Sequence, residues 1–558
     1  MIYVLFTLTF KIMRKFTLML LLAASLTTSV KAQSSTSWMR RITTTTTVDD
    51  LYAKAPLAID DNGNTYLTGT FTKDLDFGSS YLTPTATSAF VAKYDETGKD
   101  KWAAGLLGAA TITSITTDAE GYVYLAGVFA DAVNVVDRAG QTYQTIHGMA
   151  DQKEQVSAFI VKYDQDGNVN GVKTIIPEIA KTDDSYFMPA PVFTPKKIQI
   201  VGDRLVLAAT YKTDCKIDDN LTVKGQYGFQ DWDYTWDVAT MGVISLSKDL
   251  KDAKLLVQLA ATEETTTIGY GAEDINFTAE GNDITVGFVA YGNALTLKND
   301  KASYAINDLH TSQDGEQTLF SHAWIFTTVD KDLNLSEPAI YDTDPSENEA
   351  KYNTIDAMEY FDGCIYLAGT FNEVNPFNGS SYKGSNDAYL VCLGRGTQKV
   401  WTVTSGYEET ASTENEKVTC IGFLQNNISL GTIVENSTTR KNISGKGYTY
   451  SPSGNFLEET DDMVGSITQN AGRVAFQLNN KRQNSEAEEE GHYCVMYAPD
   501  GNTTGIANVS KDATSDNSNA IIYNLDGAQV GKGKAALNSL QKGVYVISNG
   551  NEAKKIIK

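Results

Sequence analysis

Histidine and cysteine are scarce, at four and five in 558 residues. His147, His310, His322 and His492 make no i,i+4 pair, and no CxxC or mixed Cys/His spacing occurs, which argues against a zinc site. The chain has no HExxH, no GxSxG elbow and no phosphate-cradling glycine loop, so it marks none of those catalytic centres. Positive charge is in deficit: 46 Lys and Arg face 69 Asp and Glu, for a formal net charge of -23. Such a field repels phosphate backbones and anionic lipid heads, so nucleic acid is a poor partner and solubility is the plain reading. Proline is rare at 11 residues while glycine reaches 44, a balance that suits many tight turns. Past the N-terminal region no apolar run is long enough to cross a bilayer, so no transmembrane segment is expected in the mature protein.

What is present is enough apolar material for a dry interior: 42% hydrophobic residues, with 29 Tyr and 21 Phe. Cys364, Cys392, Cys420 and Cys494 each sit in an apolar, strand-like run, and Cys215 falls in a loop. The four strand cysteines are expected to be free small hydrophobes rather than bridges. At the N-terminus, Met13-Arg14-Lys15 opens a basic region, Phe16 to Leu26 is apolar, and Val30-Lys31-Ala32 is a small-x-small cleavage site before Gln33. This is the pattern of a secretory signal peptide, assigned to residues 1–32 with Met1 to Ile12 as upstream extension and Met1 or Met13 as the start. No cysteine follows the cleavage site, so a bacterial lipid anchor is not indicated.

From there one stretch recurs. Asp61-Asn62-Gly63-Asn64 followed by Thr65 to Phe71 returns as Glu120-Gly121 with Tyr122 to Phe129, and as Asp362-Gly363 with Cys364 to Phe371. A turn signal and an alternating run predict a hairpin with a half-buried second strand. The first repeat reads as four strands, near Pro56 to Ile59, Thr65 to Phe71, Ala89 to Tyr94 and around Trp102. The second-strand register continues at Val206 to Ala209, Ile284 to Gly287, Ile428 to Gly431 and Val474 to Gln477, giving seven marks. Four-stranded repeats of this size read as propeller blades. The seventh repeat lacks a Trp-bearing fourth strand, and the orphan segment Ser37-Trp38-Met39 supplies one. The expected fold is therefore all-β: a seven-bladed β-propeller over 33–503, closed by an N-terminal strand that pairs near Tyr493 and leaves no open edge.

The pattern D-x-x-G-N-x-Y-L-T-G-T-F, then A-F-V-A-K-Y-D-x-x-G, then K-W, carried by residues 60–102, resembles the bacterial SBBP-type β-propeller repeat. The resemblance covers the first, second and fifth repeats; in the others only the apolar skeleton remains. It implies the fold and no single activity. Residues 504–519 read as a polar linker. Residues 520–558 carry Tyr523-Asn524-Leu525-Asp526-Gly527, Lys542-Gly543-Val544-Tyr545-Val546-Ile547 and a lysine-rich end. This segment resembles the C-terminal sorting domain of the Por (type nine) secretion system, without that family's Tyr-Pro-Asn-Pro entry motif. The resemblance implies a small β-sandwich-like sorting domain, a secreted or outer-membrane-surface protein of a Gram-negative bacterium, and secretion machinery as a partner. The alternatives are a periplasmic protein and a tail of structural use only.

Because consecutive strands are antiparallel, the loops after every second strand emerge on one face. Three are long, near Ala130 to Val156, Lys212 to Ala239 and Ala290 to Ser321, and are expected to wall that face and carry recognition. The third-repeat loop holds Tyr227, Asp231, Trp232, Asp233, Tyr234 and Trp236. Flat aromatic faces beside carboxylates suit a sugar ring and its hydroxyls, so these six are the candidate ligand-binding residues. Against this stands packing of the three alternating aromatics along an extra strand. Trp102, Trp324 and Trp401 are expected to be packing residues, and the Asp60 and Asp164 stretches are hairpin turns rather than calcium loops. No catalytic residue, metal ligand or cofactor is assigned. The leading expectation is a monomeric, non-enzymatic module for a glycan or a surface protein. A polysaccharide hydrolase or lyase with carboxylates at the channel mouth, and a structural surface module, are the alternatives.

Overall fold

The computed structural model describes residues 34–42, 56–149, 157–177, 192–225, 229–231, 234–236, 240–261, 271–292, 295–307, 309–314, 317–342, 353–372, 374–380, 386–405, 414–424, 426–436, 441–460, 463–470, 473–480, 491–499, 521–523, 529–532, 544–548 and 553–557. Apart from one three-residue 3-10 turn at Arg395–Thr397, every regular element among them is a strand. The protein is all-β.

The chain divides into two compact units. The larger holds Trp38–Gln469 and Val474–Met496; the smaller holds Met1–Ser37, Asn470–Arg473 and Tyr497–Lys558. Successive antiparallel sheets follow the repeats. Sheet one joins Leu57–Ile59, Thr65–Phe71, Ser88–Tyr94 and Asp100–Leu107. Sheet two joins Ala110–Thr117, Val123–Phe129, Ser157–Tyr163 and Val169–Ile175. Sheet three joins Phe193–Val201, Arg204–Tyr211, Thr240–Ser247 and Lys254–Ala261. Sheet four joins Gly271–Glu280, Asp283–Tyr291, His322–Val329 and Ala339–Tyr341. Sheet five joins Ala357–Phe361, Cys364–Phe371, Asp387–Leu393 and Lys399–Ser405. Sheet six joins Glu414–Leu424, Asn427–Asn436, Lys441–Tyr450 and Phe456–Thr460. Sheet seven has the order Ser34–Ile42, Gly491–Pro499, Arg473–Asn480, Met463–Asn470. Its N-terminal strand therefore lies beside the strand containing Tyr493. In the smaller unit, Gln529–Lys532, Ile521–Tyr523, Val544–Ser548 and Ala553–Ile557 form one four-stranded antiparallel sheet.

The third strands of sheets one, two and five are buried along their whole length, on both parities. A strand covered on both faces must be apolar at nearly every position, which is why Ser-Ala-Phe-Val-Ala-Lys-Tyr tolerates one lysine only as a reaching side chain. Neighbouring sheets supply that cover. One cluster joins Tyr66 and Trp102 of sheet one to Ile112, Val123 and Phe159 of sheet two. Others join Tyr124 and Ile160 to Leu205 and Ile244, and Val206 and Val243 to Phe277, Val286 and Ile325. Val289 and Trp324 of sheet four meet Leu367 and Val391 of sheet five. Tyr366 and Leu390 of sheet five meet Ile421, Leu430 and Tyr448 of sheet six. A further cluster packs Ala475 of sheet seven with Leu67, Phe71 and Phe90 of sheet one. Gly422 of sheet six lies against Ile467 of sheet seven, where a Cβ would stand 2.3 Å from the isoleucine Cγ2.

Two of the three long loops differ from expectation. Ala132–Val136 and Thr142–His147 form a hairpin that adds to the outer edge of sheet one, pairing Val136 with Gly105 and Val135 with Leu106. Leu295–Lys298 and Ser303–Ile306 do the same for sheet three, pairing Leu259 with Leu297. Both sheets thereby reach six strands. The physical reason is the edge: the fourth strand would leave a row of unpaired N–H and C=O groups, and a hairpin with buried Val133 and Val135, or Leu295 and Leu297, satisfies them. Buried Tyr163 of sheet two pins the first extension by donating to Gly105 O and Val136 O at 3.3 and 3.2 Å.

Candidate functional site

The third-repeat insertion does not extend a sheet. Its base is the short hairpin Cys215–Lys216 with Thr222–Val223. Cys215, Ile217 and Val223 are buried in the cluster shared by sheets two and three. The Asp218 carboxylate accepts from Asn220 N, Leu221 N and Ala253 N, the last tying the base to the end of the third strand of sheet three through its turn. Burial pushes this carboxyl up, and those backbone donors outweigh it and hold it below the usual range. Later in the insertion comes a second hairpin, Phe229–Asp231 with Tyr234–Trp236. Its register pairs Phe229 with Trp236, Gln230 with Thr235 and Asp231 with Tyr234. Tyr234 and Trp236 therefore lie two apart on one strand of this hairpin, opposite Asp231 and Phe229. Of the six candidate residues, Tyr227, Trp232 and Asp233 lie outside the described residues. Asp231, Tyr234 and Trp236 are placed by backbone and register, and their side chains also lie outside the described part.

The fourth-repeat insertion carries a feature that sequence spacing did not isolate. His310 precedes the hairpin Thr311–Asp314 with Gln317–Phe320. Its Nδ1 lies 2.9 Å from Asp342 Oδ2, and its backbone N donates to the same oxygen at 3.1 Å. Ser321 Oγ donates there as well at 3.3 Å, and Ser321 N donates to His310 O. A carboxylate on Nδ1 fixes the ring and leaves Nε2 as the acceptor of the neutral imidazole. The imidazole is exposed while Asp342 is mostly covered. Next to Ser321, the His322 ring stacks on Tyr291 at 4.8 Å. His310 and His322 are thus brought close together through Ser321. His147 is elsewhere, opposite Ala132 on the extension of sheet one. The signal that would have found this dyad is a contact between residues 32 apart, which no local motif records.

The glycine-punctuated acidic turns behave as turns. Asp60 accepts from Asn62 N, Asn64 N, Asn64 Nδ2 and Tyr66 Oη at 2.7 to 2.9 Å. Asp118 repeats this with Glu120 N, Tyr122 N and Tyr124 Oη, and Asp164 with Asp166 N, Asn168 N and Asn168 Nδ2. Four donors at Asp60, and three each at Asp118 and Asp164, occupy lone pairs that a cation would need. Trp102 and Trp324 are buried packing residues, and Trp401 is packed less deeply.

Carboxylates on the first strands are matched to lysines. Lys196 reaches Asp274 at 3.0 Å, and Lys197 reaches Glu359 at 2.8 Å and Met358 O at 2.7 Å. Lys197 belongs to sheet three and Glu359 to sheet five, so first strands two sheets apart touch directly. Glu416 of sheet six is different. Burial pushes its carboxyl up to about 7, against bonds from Ala388 N, Thr432 Oγ1 and Tyr448 Oη. Among the described residues no lysine contacts it, and its exposure of 4% keeps it away from solvent.

No protein-family model and no curated protein matches the chain. Solved structures that align with it include the periplasmic gluconolactonase of Pseudomonas aeruginosa, at 10% identity over 73% of this chain and 85% of that one, TM-score 0.30. A DUF4221-family protein from Bacteroides vulgatus aligns at 9% identity over 72% and 93%, TM-score 0.30. A Synechocystis apocarotenoid oxygenase variant aligns at 6% identity over 71% and 68%, TM-score 0.30. Likeness at this level establishes no shared family, so the resemblances to the SBBP repeat and the sorting domain rest on the residues quoted for them.

Proposed function

We propose that the seven sheets are the blades of a β-propeller closed by Ser34–Ile42, and that the third-repeat insertion is its recognition element for a glycan or a surface protein. Support for the ring is the sequence of shared interiors: each sheet packs on the next, and sheet seven packs on both sheet six and sheet one. Direct contact of Lys197 with Glu359, across the width of one intervening sheet, is the short chord expected of strands around a common axis. The observation that carries the binding assignment is the hairpin Phe229–Trp236. Among the described residues it joins no larger sheet; it follows a hairpin buried in the core and is rich in aromatic and acidic residues. The leader and the C-terminal sorting resemblance support export to the cell surface, with secretion machinery as partner; no cofactor is assigned.

The test is a glycan and surface-protein array probed with the full chain and with Trp232→Ala and Trp236→Ala. Retention is expected to vanish in both variants with thermal stability unchanged. Equal loss of fold and binding makes the rings packing residues and sinks the assignment. The His310–Asp342 dyad favours a second reading, a hydrolase or lyase, since an oriented imidazole with an open Nε2 is a general base in waiting. Turnover of a polysaccharide that disappears in His310→Ala would establish it.

A further inference from the structure

We infer that Cys364 and Cys392 of sheet five are a reversible redox pair, which a small-molecule disulfide closes into a diagonal cross-strand bridge. The place is marked by comparison with sheets one and two. There a tyrosine on the second strand pairs with a lysine on the third: Tyr66 with Lys93, and Tyr124 with Lys162. The lysines reach on to the next sheet, Lys93 Nζ donating to Gln165 O at 3.1 Å and Lys162 Nζ to Lys248 O at 3.0 Å. Lys162 Nζ also lies 3.9 Å from the centre of the Tyr122 ring, two residues before Tyr124. The side chain two before the tyrosine thus touches the side chain opposite the tyrosine. Sheet five keeps the tyrosine and has cysteine at both touching positions. Tyr366 pairs with Cys392, and Cys364 stands two residues before Tyr366.

Residues two apart on a strand share a face, and so do residues paired across strands. Cys364, Tyr366 and Cys392 therefore look the same way, and all three belong to the cluster shared with Phe423 and Tyr448 of sheet six. The Cys392 thiol is within hydrogen-bonding reach of the Cys364 sulfur. Both thiols are free, so the structure holds the reduced form. A diagonal pair stands wider than a directly opposed one, and a disulfide needs its Cα atoms within about 7 Å. The gap lies at a strand end. Cys364 directly follows the turn Asp362-Gly363, and Gly363 is left-handed at φ +85 with nothing within 4 Å of an added Cβ. Its strand pairs with the third strand only from Ile365, opposite Leu393. Closing the bridge moves this end and leaves the sheet in register.

Exposure divides the roles. Cys392 is 1% exposed and Cys364 is partly open, so Cys364 meets the oxidant first. Its thiolate attacks one sulfur of a small disulfide, breaking that S–S bond and releasing one thiol. The Cys392 sulfur then attacks the Cys364 sulfur of the mixed disulfide and releases the second thiol. The two electrons pass to the oxidant, and the two protein thiol protons leave on the released thiols. A bridge drawn across a wide diagonal beside an open turn is of the labile kind, so excess thiol reopens it. In an oxidising compartment the bridged form persists, and in a reducing one the dithiol does. Cys392 also pairs with Trp401, whose Nε1 donates to Pro452 O of sheet six at 3.0 Å. The bridge thus fastens the strand end beside that junction.

The experiment equilibrates the reduced full chain in glutathione buffers of rising oxidised fraction. Each sample is quenched with acid, its remaining thiols are alkylated in denaturant, and its peptides are mapped by mass spectrometry. A peptide pair joined through Cys364 and Cys392 is expected, lighter than its parts by the two thiol hydrogens, while Cys215 and Cys420 are still alkylated. Returning the sample to reduced glutathione is expected to restore both thiols. Cys392→Ser is expected to hold Cys364 as the glutathione mixed disulfide, and Cys364→Ser to leave Cys392 reduced. Where a variant does not accumulate, the unsubstituted chain decides alone. In that chain, alkylation of both cysteines at every ratio overturns the inference. A lasting mixed disulfide at Cys364, or a bridge between two copies, overturns it as well. The same oxidation in urea is expected to scatter the pairings, and an equal share of the Cys364–Cys392 pair there would overturn its origin in the fold.

Discussion

Gly167→Ala tests whether the inter-sheet indole contact is a structural joint. A residue with a Cβ at φ +82 costs about 1 kcal/mol from backbone alone. The added methyl would stand 2.7, 2.9 and 3.0 Å from Trp102 Cδ2, Cγ and Cε3. Those atoms belong to a ring only 3% exposed, so it cannot swing away. Shifting it breaks the bond to Gln165 O, worth about 1 kcal/mol, and overpacks the junction by about 1 kcal/mol or more. The expected loss is about 3 kcal/mol. Gly281→Ala is the matched control, because Gly281 is left-handed at φ +63 with nothing within 4 Å, so it is expected to lose only the backbone cost of about 1 kcal/mol. Urea unfolding of both variants at constant slope reads the difference directly. Equal midpoint shifts would refute the argument, since they would leave the indole contact with no energetic weight.

Glu416 sets a pH dependence. Its folded pKa of about 7 exceeds that of a free carboxyl, so the folded state favours the protonated form. Stability is therefore expected to fall as pH rises from about 4.5 through about 7, by on the order of 3 kcal/mol in total. Glu416→Gln is expected to flatten that dependence, read as melting temperature at pH 5 and pH 8; an unchanged slope rejects the assignment. Asp60→Ala deprives Asn62 N, Asn64 N and Tyr66 Oη of their acceptor. It is expected to cost about 2 kcal/mol in chemical denaturation, and a neutral result would mean water replaces the carboxylate. Burial first, and the neighbouring Cys364 thiol second, push Cys392 up to about 12. Native-state alkylation at pH 8 is expected to spare Cys392 and to label it fully after denaturation, and rapid native labelling contradicts its burial.

Much of the architecture was legible because it repeats. The second-strand marks all fall inside observed strands, including Ile428 to Gly431 in the weakly patterned sixth repeat. Alternation and turn chemistry are local, so they survive divergence of the surface. The loops were less legible for the opposite reason. Length alone cannot say whether Ala132–His147 stands free or adds to an edge; that depends on a fourth strand needing partners, which is a tertiary fact. Alternating Val133, Val135 and Ile146 were the available hint. The His310–Asp342 contact and the buried Glu416 were invisible because abundant acidic residues give no contrast until folding selects among them. In the acidic turns, by contrast, the glycine and aspartate spacing already carried the answer.

The closed ring is tested most directly by the distance between sheets one and seven. Site-specific spin labels at exposed Asp61 and at Thr468, a strand position of sheet seven, report it by pulsed electron resonance. If seven sheets encircle an axis, these sheets are neighbours spaced by about 10 Å, and the labels should lie within about 25 Å. A distance near 60 Å, six such spacings end to end, would show an open stack and contradict the account.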